Sequence, residues 1–95
     1  MIHYNKGVNV MGIRSELVLA IICASSYPHD VGVSCIINGE HMRGSLHFSG
    51  NAIDLDVIGD AGSNSELASM LQVSLPGSYD VINEHTHVHV EYQPK

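Results

Sequence analysis

From Ser15 to Ser25 apolar residues dominate, and Leu17, Val18, Ile21, Ile22 and Cys23 form a broad stripe at helical spacing. With Ser15 and Glu16 near its start, the pattern predicts a helix from about Met11 or Arg14 to Ser25, largely buried on one side. Tyr27-Pro28-His29-Asp30 should end it, because proline disfavours helical geometry at the residue before it. Val31 to Ile37 is rich in β-formers, and Asn38-Gly39 is a strong hairpin signal, with a polar return through Glu40 to Gly44. Asn51 to Ile58 alternates: Ile53, Leu55 and Val57 share one face, Ala52, Asp54 and Asp56 the other. That is a strand with a wet or functional face. After the loop Gly59-Asp60-Ala61-Gly62, Ser63 and Glu66 match a capping box ahead of Leu67, Met70 and Leu71, in a short helix ending near Ser74. Tyr79 to Ile82 and His87 to Tyr92 read as two strands around a polar turn at Asn83 to Thr86. The expected fold class is α+β, a small antiparallel sheet with two helices.

Composition narrows the picture. Ninety-five residues, 44% of them apolar, make one small domain, and no repeat, linker or low-complexity tract divides the chain. Ten Asp and Glu against four Lys and Arg give a formal charge of −6. That balance argues against nucleic acid and against an anionic membrane surface, since both are met by clustered Lys and Arg. The longest apolar run, Leu17 to Ala24, is far short of the about 20 residues a membrane span needs. The start Met1-Ile2-His3-Tyr4-Asn5 lacks the features of a signal peptide, so no export signal of its own is expected. Cys23 and Cys35 each lie in an apolar segment and are expected to be reduced core thiols.

Histidine changes the picture most. Seven copies in an acidic chain, three of them between His85 and His89, suggest a metal. His87 and His89 alternate on one face of the last predicted strand, and His47 and Asp54 bracket a turn into the strand of Asp54. Imidazole and carboxylate are good zinc ligands, and a catalytic site typically has three of them with one position open for water. His47, Asp54 and one histidine of the last strand make such a set, provided that the two strands lie side by side.

The full string Gly44-Ser45-Leu46-His47-Phe48-Ser49-Gly50-Asn51-Ala52-Ile53-Asp54-Leu55 resembles SxHxxGxAxD. This is the signature of the zinc D-alanyl-D-alanine carboxypeptidases and L-alanyl-D-glutamate endopeptidases that cut peptidoglycan stem peptides. Glu84 and His87-Val88-His89-Val90-Glu91-Tyr92 resemble the family's distal HxH segment. The resemblance spans about Val33 to Tyr92 and implies the small α+β fold shared with the hedgehog signalling domain. It implies Zn2+ held by His47, Asp54 and His89, with His87 stabilising the oxyanion and Glu84 as general base. It also places His41 and Ser45 at the substrate. The expected partner is a peptidoglycan peptide, and the expected activity is zinc-dependent hydrolysis of its peptide bonds, in a small phage-type enzyme. Such a protein would reside in the host cytoplasm before release, or on the virion. The alternative is a metal-containing binding module of the same fold without hydrolysis. Arg43, His3, His29, His85, Asp56 and Asp60 are read as surface residues, and the oligomeric state stays open.

Overall fold

A computed structural model of the chain describes residues 1–8, 15–37 and 51–92. Among them the order of elements is β1 (Ile2–Tyr4), α1 (Ser15–Ser25), β2 (Val31–Ile37), β3 (Asn51–Val57), α2 (Asn64–Ser74), β4 (Tyr79–Asn83) and β5 (Val88–Tyr92). The five strands form one sheet in the order β1-β2-β3-β5-β4. The α+β class with two helices is as expected. The sheet is mixed, however, because β1 pairs with β2 in parallel while the other pairings are antiparallel. β1 is three residues long and mostly exposed, so its sequence carries no alternation to announce it. The expected turn at Asn38-Gly39, its return to Gly44 and the first residues of the predicted α1 lie outside the described residues.

The helices pack on one face of the sheet. Val31 and Val33 of β2, Ile53 and Leu55 of β3 and Val88 and Val90 of β5 are fully buried there, against Leu17, Ala20, Ile21 and Ala24 of α1 and Leu67, Ala68 and Leu71 of α2. The buried positions of α1 recur at i, i+3, i+4 and i+7, one helical face. The stripe expected from sequence is therefore off by one step. Leu17 and Ile21 are buried as expected, but Val18 and Ile22 are 38% and 58% exposed, and the small Ala20 and Ala24 face the core in their place. Small residues let the helix axis approach the sheet closely, which apolar content alone does not reveal.

Ser63 caps α2, its hydroxyl accepting from the Glu66 amide at 3.1 Å, as the capping box predicts. The return arm is different. Tyr27 inserts its hydroxyl, which accepts from the Ser63 amide at 3.1 Å and donates to Glu66 Oε1 at 2.8 Å. The buried tyrosine thereby ties the end of α1 to the start of α2, and burial pushes its own pKa up. No helix among the described residues is long and apolar enough to cross a membrane.

Candidate functional site

The face of the sheet away from the helices gathers the polar residues of β3 and β5. Antiparallel pairing sets Asp54 directly opposite His89, and Ala52 opposite Glu91. Side chains directly across an antiparallel pair share a face, so the alternation of β3 and that of β5 deliver their polar positions to the same place. His89 Nδ1 lies 2.8 Å from Asp54 Oδ1, and His89 Nε2 lies 2.9 Å from Glu91 Oε1. One imidazole is thus held between two carboxylates. The His89 side chain is 15% exposed and that of Glu91 only 1%. The hydrogen bond to Asp54 is the main cause that raises the His89 pKa from 6.5 to about 9, with Glu91 adding to it and burial opposing it.

The hairpin between β4 and β5 carries the second half of the cluster. The Glu84 amide donates to the His87 carbonyl at 2.9 Å, and the Thr86 amide donates to the Glu84 carbonyl at 2.8 Å. The latter closes a γ-turn around His85, whose φ is +70°. This tight geometry puts Glu84 and His87 side by side, with Glu84 Oε2 2.6 Å from His87 Nε2. Thr86 Oγ1 is 3.0 Å from His87 Nδ1, and His87 Nε2 is 3.8 Å from Asp54 Oδ1. The five groups form a chain, Glu84–His87–Asp54–His89–Glu91, running from a half-exposed carboxylate to a buried one. Three carboxylates against two imidazoles keep a net charge of −1 even with both rings protonated, a field suited to a cation.

Two further features set this geometry. Asn64, the first residue of α2, accepts from the Val57 amide at 2.8 Å through Oδ1, and its Nδ2 donates to the His85 carbonyl at 3.1 Å and to Asp56 Oδ1 at 3.3 Å. The end of β3 is thereby fastened to the hairpin that bears Glu84 and His87. Asp56, read from sequence as a surface residue, takes part in this fastening. A bulge between Val33 and Cys35 shifts the register of β2, so that Cys35 pairs with Asp54 and Ile36 with Ile53. Bulges re-aim the side chains that follow them. Cys35 therefore shares the face of Asp54 instead of lying in the core as expected, whereas Cys23 packs against the core as expected; burial together with the Asp54 charge pushes the Cys35 pKa up. Both cysteines are free and half-buried.

Of the residues named from sequence, Asp54, His87, His89 and Glu84 come together. His47, His41 and Ser45 lie outside the described residues, as do Arg43, Gly44 and Gly50. Among the described residues no group of three His, Cys, Asp or Glu side chains is arranged to hold a metal ion. Asp54 and His89 bring one oxygen and one nitrogen donor to a single point, which fits two of the three ligands expected of zinc. His85 stays exposed, as expected, but contributes through its backbone. Glu91 and Asn64 were not singled out from sequence. Glu91 shows the alternation of His87 and His89 and so was visible as a member of that face, whereas nothing local marks Asn64. Against protein-family models, curated proteins and solved structures the chain shows no match.

Proposed function

We propose that this chain is a zinc peptidase acting on peptidoglycan stem peptides or cross-links, with Zn2+ held by His47, Asp54 and His89. The observation that carries the reading is the pairing of Asp54 with His89 across β3 and β5 at 2.8 Å. It unites the two parts of the sequence pattern, SxHxxGxAxD and the distal HxH, which stand 35 residues apart at these two positions. The negative surplus around them suits a dication, whose charge would replace the proton that His89 carries. When bound, zinc supplies a Lewis acid that polarises a water or a carbonyl.

The rest of the chemistry belongs to the side chains. Glu84, half-exposed, would accept a proton on its carboxylate and return it to the leaving amine, a role worth about 10²–10⁴-fold. His87 meets the Thr86 hydroxyl at Nδ1 and presents Nε2 between Glu84 and Asp54. Once Glu84 turns to its proton transfer, an N–H at Nε2 would be free to donate to a developing oxyanion, where losing one donor typically costs about 10²–10³-fold. His41 and Ser45 are assigned to substrate, and the peptidoglycan substrate itself rests on the sequence resemblance. Release at host lysis or carriage on a virion would bring the enzyme to the wall.

The test is zinc content by elemental analysis together with release of muropeptides from purified wall. Wild type should carry zinc and release peptides, Glu84→Gln should keep zinc and lose turnover, and His89→Ala should lose both. Hydrolysis that survives His89→Ala would sink the proposal. Zinc without any hydrolysis in wild type would select the binding module instead.

A further inference from the structure

We infer that Glu91 is a positioning residue that fixes which nitrogen of His89 meets the metal. The inference rests on the zinc reading above. A neutral imidazole has one N–H and one lone pair, and only the lone pair can bind a cation. His89 faces a carboxylate at each ring nitrogen, Asp54 at Nδ1 and Glu91 at Nε2. The two carboxylates compete for the one proton that the neutral ring keeps. If the proton stays on Nδ1, it occupies the space between His89 and Asp54, where the cation belongs. Held on Nε2 by Glu91, it leaves the Nδ1 lone pair aimed at the Asp54 side.

Burial makes Glu91 effective in this role. The residue is fully buried, and Ala52, directly opposite in the strand register, is buried with it. A carboxylate removed from water is costly to leave without a strong donor, and an imidazole N–H is such a donor. The small side chain at 52 is what makes room opposite Glu91, which gives the alanine of the sequence pattern a physical purpose. Ring orientation is set at the same time, because the hydrogen bond on Nε2 and the two-residue spacing along β5 fix the plane of the imidazole. Outer partners of this kind typically raise metal affinity by about 10–100-fold.

The experiment compares wild type with Glu91→Gln by zinc competition titration against a chromophoric chelator at constant pH. Zinc binding weaker by about 10–100-fold in the variant is the expected result, and equal affinity overturns the inference. A long-range 1H–15N spectrum of the histidine-labelled, zinc-loaded wild type provides a second reading that needs no variant. It should show His89 protonated at Nε2 and metal-bound at Nδ1. The opposite arrangement overturns the inference even where Glu91→Gln fails to fold. Wild type that takes up no zinc removes the peptidase reading and this one together, whereas zinc held through His89 Nε2 removes this one alone.

Discussion

Replacing Asp54 by asparagine should change how stability depends on pH in the metal-free protein. The His89 pKa is raised from 6.5 to about 9, first by its hydrogen bond to Asp54. At about 1.4 kcal/mol per pH unit, that rise corresponds to about 3 kcal/mol of folding free energy. The side chain is only 15% exposed, so water screens little of it. Because the folded-state value lies above the unfolded one, folding takes up a proton between the two. The stabilisation is complete below about pH 6.5 and is lost as the pH rises through about 9. Against a total of about 5–15 kcal/mol for a small domain, that is a substantial share. Asp54→Asn keeps the shape and removes the charge. Urea unfolding at pH 6 should then show a loss of about 2 kcal/mol, and at pH 10 a much smaller one. In parallel, the His89 ring proton followed by NMR should titrate nearer 6.5, held short of it by Glu91. An unchanged titration in Asp54→Asn would refute the assignment of the shift to this hydrogen bond. The same proton competes with zinc, so apparent zinc affinity of the wild type should rise by up to about a hundredfold between pH 7 and pH 9.

Two substitutions probe the scaffold that holds the cluster. Asn64→Ala removes the ties from α2 to Val57 and to the His85 carbonyl, and should cost about 1–2 kcal/mol in urea unfolding while lowering kcat more than it raises KM. Equal stability would show that these bonds are exchanged for water without loss. His85→Gly relieves a positive φ at a non-glycine residue and should stabilise the metal-free protein by about 0.5–1 kcal/mol, once the entropy of glycine is subtracted. A drop in melting temperature would contradict that.

The polar face of β3 was legible from alternation alone, since Ile53 and Leu55 could be buried together only by turning Asp54 the other way. The α2 cap was legible too, because Ser63 and Glu66 act within one turn of chain. Both rest on local geometry, where spacing in sequence is spacing in space. The same reasoning placed His87 and His89 on one side of the last strand; the register of β5 sets His89 opposite Asp54, whereas His87 precedes the strand and meets Asp54 from the hairpin, 3.8 Å away.

What only the tertiary structure decided is which neighbours those faces meet. Three residues of β1 join the sheet in parallel, a pairing without any local sequence signal. The bulge in β2 turns Cys35 from the core side to the side of Asp54, and one extra residue in a strand reverses every side chain after it. Tyr27 occupies half of a capping box from 36 residues away in sequence. Glu91 shows the same contrast. By itself it is an acidic residue near the chain's end, which composition assigns to solvent. Buried behind His89 and opposite Ala52, it becomes the second acceptor of an imidazole that Asp54 already holds. Strand alternation determines which side a residue faces, but the strand order and register determine what it finds there, and those follow from packing of the whole chain.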